Sequence, residues 1–444
     1  MSALRTRPLA LALLACLALA VLSLVVADQP TYDPQAWLIW GRQIAHGTLE
    51  TVSGPSWKPL PVLITAPSAL LGDGPPPLIW LTVARTGGFA AVVLAAVVAM
   101  RLAGRDERGR PWHAGAFAAV ALLLANTYLS GVLRGNSEGL LAAAVLAAVL
   151  AVLDGRYRLA FGFGVAAALL RPEAWPALAL YSLWLLHRDR SPRTLALIGG
   201  SALLVILLWF VPEKLGSGDF FRGASRAREP VAGSPAQSSF PFGAVFTNGA
   251  SALIYPIYAA ALLAVLDAIR RRRTPVLAVA ALATLWMLAV AALAQKGFTG
   301  NLRYVMLPAA LVCAIAGAGV ARLPRRWPLY AVLALACVPG VVHGTGLLHT
   351  TLAEAAEDER VFDDLPRVIA RAGGERAVLA CGAVFTGPFQ TQAVAWRLHL
   401  RQQQVKLRPT VPGTILGRIP LPITRDQRFA LRVRSKRWVL RQSC

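Results

Sequence analysis

Two acidic residues follow the first long apolar stretch of the chain, in the sequence Asp28-Gln-Pro-Thr-Tyr-Asp33-Pro-Gln-Ala-Trp37. A carboxylate within hydrogen-bond reach of a hydroxyl can act as a general base, taking the proton while the oxygen attacks. Asp33 is the candidate for that role. A second interpretation stays open, because Asp is a favoured helix N-cap and Pro34 a favoured first helical residue. The two roles are compatible, since a helix N-terminus stabilises a charged carboxylate.

Several further residues have the chemistry to bind a substrate or to line its pocket. Arginine donates paired hydrogen bonds that suit a phosphate, and Arg303 is followed directly by Tyr304. Charges at membrane depth cost at least about 2.5–3.5 kcal/mol at a helix centre, so they tend to be paired or functional. The alternatives are loop salt bridges within 134–138 and 171–173, worth about 0–1 kcal/mol each, and an Arg303 side chain that extends to the membrane surface. The predicted substrate-binding residues are Asp28, Trp37, Lys58, Arg134, Glu138, Arg171, Glu173, Arg303 and Tyr304.

The composition predicts that membrane helices position these residues. Of the 444 residues, 56% are hydrophobic and 15% are charged, whereas a soluble domain averages about 25% charged residues. The net charge of +23 does not indicate a nucleic-acid partner. Many of the arginines fall in short clusters between apolar runs, as the positive-inside rule requires.

A spanning helix needs about 20 mainly apolar residues, and about eleven stretches qualify. The first begins after Arg5 and Arg7 and is too long for a signal-peptide core of about 7–15 residues, so we interpret it as an uncleaved span. The predicted spans cover residues 8–27, 78–100, 112–130, 138–153, 159–171, 173–187, 194–212, 250–268, 275–294, 303–321 and 327–342.

The arginine clusters predict a plasma-membrane protein with a cytoplasmic N-terminus and an extracytoplasmic C-terminus. Counted alternately, the inner loops carry most of the arginine. The cluster residues are Arg101, Arg105, Arg108, Arg110, Arg156, Arg158, Arg188, Arg190, Arg193, Arg270, Arg271, Arg272, Arg273, Arg322, Arg325 and Arg326.

Three segments then face outward. In 28–77, the aromatic spacing after Asp33 predicts a short helix at the membrane surface with its tryptophans at head-group depth. The segment 213–250 is rich in Gly, Ser, Pro and Phe and is predicted to be a mobile loop. The tail 343–444 is predicted to be a small basic α/β domain, distinct from the transmembrane module 1–342.

Within the tail we predict helices at 361–372 and 387–400, strands at 377–381 and 403–407, and a partly alternating strand near 428–440. The basic surface after Arg401 has two interpretations. It is either a solvated strand face, or a surface that attracts anionic lipid head groups or an acidic wall polymer.

The cysteines leave one question open. Cys381 and Cys444 both lie in the predicted outer tail, where a disulfide between them is possible. The sequence contains no CxxC or HExxH motif, and we predict neither a metal site nor a cofactor.

On these residues, the chain resembles the GT-C superfamily of polytopic glycosyltransferases, and most of all the bacterial protein O-mannosyltransferase and lipid A aminoarabinose transferase type. That family has an acid in the first outer loop, a Lys-Pro-Pro-Leu-like motif, and an Arg-Tyr pair at the start of a late span. Asp33, Lys58-Pro59-Leu60 and Arg303-Tyr304 match in kind and order. Many relatives carry a second acid beside the first, where this chain has Pro34, so a divalent metal lacks support.

The resemblance implies an inverting transfer of a sugar from a polyprenyl-phosphate donor to a hydroxyl of an acceptor glycan, lipid or protein. Asp33 would be the base, Arg303 the phosphate ligand and Lys58 a second donor, with Tyr304 and Trp37 lining the pocket. A transporter or lipid flippase and a non-catalytic envelope scaffold are the alternatives. Carriers of the inverted-repeat type often have matching broken helices, which the sequence lacks.

Overall fold

The computed structural model describes residues 3–104, 111–230, 232–323 and 327–444. Its contacts divide the chain into two compact units. Unit 1 comprises Met1–Ser23, Thr82–Trp209 and Ala224–Thr351, and unit 2 comprises Leu24–Leu81, Phe210–Gly223 and Leu352–Cys444. Some predicted inner-loop arginines lie outside the described residues, namely Arg105, Arg108, Arg110, Arg325 and Arg326.

Helices dominate the described residues, as the Ala- and Leu-rich composition dictates. The α-helices are α1 (Ala3–Leu22), α2 (Tyr32–Ala45), α3 (Pro59–Ser68), α4 (Pro75–Ala103), α5 (Trp112–Leu123), α6 (Tyr128–Leu133), α7 (Glu138–Leu153), α8 (Tyr157–Leu170), α9 (Trp175–Arg188), α10 (Pro192–Ser217), α11 (Arg222–Ala227), α12 (Pro241–Ala250), α13 (Tyr255–Arg270), α14 (Thr274–Gln295), α15 (Met306–Val320), α16 (Trp327–Arg371), α17 (Gly374–Leu379) and α18 (Thr391–Arg397).

The chain is a multi-pass α-helical membrane protein. Six described helices are long and apolar enough to cross a membrane, or seven if the pair α12 and α13, bent by 102°, forms one span. Four predicted spans coincide with shorter helices, since α5, α7, α8 and α9 have 12, 16, 14 and 14 residues. The helix predicted over 112–130 is broken at Thr127, whose φ is +65°. The number of eleven spans therefore stays a prediction.

The centre of unit 1 is α15, which is buried along nearly its whole length. A Cβ on Gly317 would overlap the Ala114 carbonyl of α5, and one on Gly319 would overlap the Ala260 carbonyl of α13. These glycines therefore let three helix backbones approach closely, which is how small residues pack membrane helices.

The tail of unit 2 contains a five-stranded sheet with strand order β2-β1-β3-β5-β4. The strands are β1 (Ala383–Phe385), β2 (Val405–Lys406), β3 (Gly413–Arg418), β4 (Ala430–Arg434) and β5 (Trp438–Ser443). β1 pairs in parallel with β2 and β3, whereas β5 is antiparallel to β3 and β4. Phe385, Ile415 and Phe429 form its buried core.

Several predicted elements of the tail differ in the structure. The range 377–381, predicted as a strand, contains the end of α17, because Gly373 at φ +98° turns the chain into a helix of good helix formers. The helix expected at 387–400 is only α18, and the strand expected at 403–407 is only β2. The strand predicted near 428–440 is the antiparallel pair β4 and β5.

Two longer segments are also more helical than predicted. The span at 327–342 and the helix at 361–372 are parts of one helix, α16, and the stretch 352–360 that leads into the second consists mostly of good helix formers. The segment predicted to be a mobile loop, 213–250, contains the end of α10 together with α11 and α12.

Cys381 and Cys444 form a disulfide with a Cα–Cα distance of 4.7 Å. It ties the end of β5 to the residue that closely precedes β1. The question left open by the sequence is thereby answered in favour of pairing.

Candidate active site

Asp33 lies in the first turn of α2 and not at its N-cap. Thr31 holds the N-cap position with extended backbone angles (φ −85°, ψ −167°), and its carbonyl accepts the N–H of Gln35 at 2.9 Å. The prediction that Asp33 caps this helix is therefore wrong, because that hydrogen bond closes the first turn earlier. Pro34 fits within the turn since its missing N–H would have no partner there. The Asp33 carboxylate still lies near the positive end of the helix dipole.

The tryptophans of α2 face the interior of unit 2. Trp37 and Trp40 are 1% and 0% exposed, so they pack inside the protein, and their predicted head-group depth stays a prediction. Trp37 packs edge-on against Trp80 with ring centroids 5.1 Å apart. The Lys58 ammonium lies 5.0 Å from the centroid of the Trp37 ring, within the range of a cation–π interaction. The fold thus brings together two predicted substrate-binding residues.

Close packing of α2 on α3 fixes the position of Lys58, which is the N-cap residue of α3. The Thr65 hydroxyl of α3 donates to the Trp37 carbonyl at 2.8 Å. A Cβ on Gly41 would lie 2.6 Å from the Thr65 Oγ1 and 2.8 Å from its carbonyl oxygen. Only glycine therefore permits this approach without a shift of one helix.

Asp33 and Trp37 are four residues apart on α2, so they occupy the same face of the helix. Asp28 precedes α2 and is half-buried, and its Oδ1 has no hydrogen-bond partner within the described ranges. Unit 2 therefore contains Asp28, Asp33, Trp37 and Lys58.

In unit 1, the other predicted residues form a buried cluster around Arg171. Its guanidinium pairs with Glu138 Oε1 and lies 3.4 Å from Glu173 Oε1. The Arg171 Cζ lies 4.2 Å from the centroid of the Tyr304 ring, and the Arg303 Cζ lies 5.3 Å from the same centroid. The sequence indicates the pair with Glu173 but not the one with Glu138, which joins the start of α7 to the end of α8.

The cluster is a buried ion-pair network and not a set of loop salt bridges. The side chains of Arg171 and Glu138 are only 5% and 8% exposed. Breaking such a pair leaves an uncompensated buried charge, at a cost of roughly 3–5 kcal/mol. Arg134 donates to the Ser130 hydroxyl at 3.1 Å, and its predicted bridge to Glu138 stays a prediction.

Tyr304 is also held by α14, because the Trp286 indole N–H donates to its carbonyl at 2.9 Å. Trp286 and Leu307 both line an apolar groove of about 690 Å³ within unit 1. Helices α7, α8, α9 and α14 supply most of its wall. The groove therefore runs beside the turn that carries Arg303 and Tyr304.

Arg222 is a structural residue of unit 2 that sequence reasoning missed. Its guanidinium donates to the carbonyls of Val52, Gly54 and Pro55 at 2.6–3.1 Å. The Ser56 hydroxyl donates to the Gly223 carbonyl at 2.9 Å. These bonds hold the loop that leads into Lys58. No local signal indicates them, because the acceptors are backbone atoms about 170 residues away.

Among the residues that the structure describes, no group of three or more His, Cys, Asp or Glu side chains is arranged to hold a metal ion.

No protein-family model matches the sequence. No curated protein matches it either. The fold, in contrast, matches solved structures. ArnT from Cupriavidus metallidurans bound to undecaprenyl phosphate has 16% sequence identity and a TM-score of 0.61, covering 97% of each chain. The apo state of the same protein has 16% identity and a TM-score of 0.62, covering 99% of this chain and 98% of the other.

A third structure, the archaeal oligosaccharyltransferase AglB from Archaeoglobus fulgidus with an inhibitory peptide and a dolichol-phosphate, has 11% identity and a TM-score of 0.49. It covers 92% of this chain and 69% of the other. At 16% identity, the likeness to ArnT establishes that this chain has the ArnT fold.

Proposed function

We propose that the chain is an integral membrane glycosyltransferase that moves a sugar from a polyprenyl-phosphate donor to an acceptor hydroxyl. The observation that carries the proposal is the apolar groove of about 690 Å³ beside the turn with Arg303 and Tyr304. A donor of this class has a long apolar chain that ends in a phosphate, and it needs both features. The ArnT fold adds support, because one ArnT structure contains undecaprenyl phosphate.

Within the cluster, Arg303 is the proposed phosphate ligand and Arg171 its support. Arg171 already directs its two terminal nitrogens to Glu138 and Glu173. Its guanidinium also lies over the Tyr304 ring, so its proposed role is to hold that ring and with it the neighbouring Arg303. Positive donors placed where charge develops on a departing phosphate stabilise the transition state.

Asp33 is the proposed general base. The acceptor hydroxyl gives its proton to the Asp33 carboxylate, and its oxygen forms a bond to the anomeric carbon. The bond from that carbon to the phosphate oxygen breaks on the opposite face, so the configuration inverts and polyprenyl phosphate leaves. Asp33 lies in the first turn of α2, near the positive end of the helix dipole. A positioned base contributes about 10²- to 10⁴-fold to the rate.

The proposed orientation places the tail on the extracytoplasmic side. Its disulfide between Cys381 and Cys444 supports this side, because disulfides persist in oxidising compartments. The arginine clusters of the predicted inner loops support it independently. The proposed acceptor is a hydroxyl of a glycan, a lipid or a protein.

Reconstitution separates transfer from transport. The purified chain in proteoliposomes is given a polyprenyl-phosphate sugar and an acceptor extract of the bacterial envelope. The proposal expects free polyprenyl phosphate and glycosylated acceptor to appear in equal amounts. Movement of intact donor across the vesicle, without release of polyprenyl phosphate, would instead establish a carrier.

A further inference from the structure

Within unit 2, the tail contacts α2, the helix that carries the proposed base. In the second turn of α2, the Ala36 carbonyl accepts a hydrogen bond from the buried Gln402 amide at 3.5 Å. At the end of α2, an Arg42 nitrogen donates to the Trp396 carbonyl at 3.1 Å, and the guanidinium lies over the Trp396 ring, 4.4 Å from the centroid. These contacts hold the middle and the end of α2 against the tail.

The start of α2 is held by Phe389, which lies in the loop between β1 and α18. The rings of Phe389 and Tyr32 pack edge-on, with their centroids 5.8 Å apart. Tyr32 directly precedes Asp33, so the Cα atoms of these two residues are about 3.8 Å apart. Within the described part of the chain, no other aromatic ring packs against Phe389. Phe389 therefore supports the helical turn that contains the proposed base.

The backbone of Phe389 is strained. Its φ is +66°, a left-handed conformation that is rare for a residue with a bulky side chain. Such a conformation is retained only where the surroundings require it, and it is often found at functional sites. Burial gives no reason for it, because the side chain is 64% exposed and gains little by leaving water. The strain is therefore explained by the place where the ring has to lie.

The loop that displays Phe389 is firmly held by the sheet of the tail. The N–H and the hydroxyl of Thr386 donate to carbonyls of β2 and β3 at 3.0 and 2.5 Å. A Cβ on Gly387 would overlap the Leu421 side chain, so the loop also packs closely against the segment that follows β3. The ring of Phe389 thus has a fixed position from which it contacts Tyr32.

We propose that Phe389 is a positioning residue for Asp33. Its ring fixes Tyr32, and thereby the direction in which the Asp33 carboxylate meets the acceptor hydroxyl. A base has to lie within hydrogen-bond reach of the proton that it takes, and a misplacement of about 1 Å can cost about 10²-fold in rate. The tail thus contributes to catalysis through α2. The inference rests on the proposed transfer reaction, with Asp33 as its base.

Replacement of Phe389 by glycine separates positioning from stability. Glycine adopts this φ without strain, which offsets the greater freedom of the unfolded chain, so the unfolding temperature of Phe389→Gly should stay close to that of the wild type. The loss of the ring contact should lower kcat for sugar transfer about 10- to 100-fold. The KM for the polyprenyl-phosphate sugar should stay within about twofold of the wild-type value. Phe389→Tyr keeps the ring and should restore kcat.

Two further substitutions test the contact itself. Arg272→Gly is the matched control, because Arg272 is also exposed and has a φ of +53° but lies in unit 1. It should change neither kcat nor the unfolding temperature. Tyr32→Ala removes the other ring and should lower kcat as much as Phe389→Gly does. The double variant should be no slower than either single one, because both remove the same contact.

Asp33→Asn, assayed in parallel, separates failure of this inference from failure of the proposed reaction. Where the wild type transfers sugar and Asp33→Asn does not, a wild-type kcat in Phe389→Gly overturns the positioning role alone. A loss of kcat that comes with a lower unfolding temperature, or that Phe389→Tyr does not restore, assigns Phe389 a structural role and also overturns it. If the wild type transfers no sugar, or Asp33→Asn transfers it fully, the proposed base and this inference fail together.

Discussion

The guanidinium of Arg171 lies over the ring of Tyr304, with its Cζ 4.2 Å from the ring centroid. The residues come from distant parts of the sequence, the end of α8 and the turn before α15. Arg171 is itself anchored by two carboxylates, so the position of Tyr304 depends on a buried ion-pair network. The stability of unit 1 and the geometry beside Arg303 should therefore change together.

We predict that Arg171→Ala destabilises the protein by roughly 3–5 kcal/mol, because it leaves the Glu138 carboxylate buried without its partner. Thermal unfolding in detergent measures the loss. The matched control is Arg158→Ala, which removes an arginine paired with Asp189 at 2.7 Å but 52% exposed. That control should cost about 0–1 kcal/mol. Equal losses in both variants would contradict the buried network.

The contact between Gly41 and Thr65 gives a second prediction. Gly41→Ala places a methyl group 2.6 Å from the Thr65 Oγ1, so α2 and α3 must separate at a cost of about 1–3 kcal/mol. The same substitution at Gly162, inside α8 with nothing within 4 Å of the new Cβ, should stabilise by about 0.4–1 kcal/mol. The two variants should therefore shift the unfolding temperature in opposite directions. An unchanged unfolding temperature in Gly41→Ala would contradict this packing.

The tail should show a stability maximum in mildly acidic solution. The hydrogen bond to Asp73 raises the pKa of His399, so its stabilising contribution is complete below the ordinary value of 6.5 and is lost as the pH rises through the raised pKa. Burial would raise the pKa of Asp73, but His399 and Arg42 hold it below its ordinary 3.8. The stabilising contribution of Asp73 is present above pH 3.8 and is lost as the pH falls through the lowered pKa of its carboxyl.

Unfolding temperatures measured from about pH 4 to pH 8 test this dependence, since the window follows from these two shifts. His399→Gln should flatten the decline above pH 6.5 while leaving the rest of the curve in place. Because both side chains are about half exposed, added salt should weaken the effect. An unchanged decline in His399→Gln would contradict the assignment.

The disulfide should stabilise the tail by closing a long loop. Cys381 and Cys444 are 63 residues apart, and a chain-entropy estimate for such a loop is about 4 kcal/mol. Cys444→Ser and treatment with a reductant should lower the unfolding temperature to the same extent. The double variant Cys381→Ser with Cys444→Ser should then be insensitive to the reductant. A reductant effect that persists in the double variant would contradict this account.

The sequence predicted the elements whose signals are local. Apolar runs located the spanning helices, and the order of Asp33, Lys58 and Arg303 indicated the fold that the comparison with ArnT confirms. Features that depend on distant partners were not predictable. Trp37 points inward because it packs against Trp80. Neither the sequence around Trp37 nor that around Trp80 reveals this contact.

Short elements of the tail also depend on features that side-chain patterns do not show. The start of α17 depends on the left-handed conformation of Gly373, whereas the apolar residues after it suit a strand equally well. The hydrogen bonds of Arg222 end on backbone carbonyls, which any sequence supplies. Side-chain types therefore gave no indication of this contact.

The role of Asp33 is tested most directly by sugar transfer in the Asp33→Asn variant. The amide keeps the size of the side chain but cannot take the proton, so transfer from a polyprenyl-phosphate sugar should fall by about 10²- to 10⁴-fold. Donor binding and the unfolding temperature should remain close to those of the wild type. Asp363→Asn, an exposed acid of α16, serves as the control and should transfer normally. Full transfer by Asp33→Asn would contradict the proposed base.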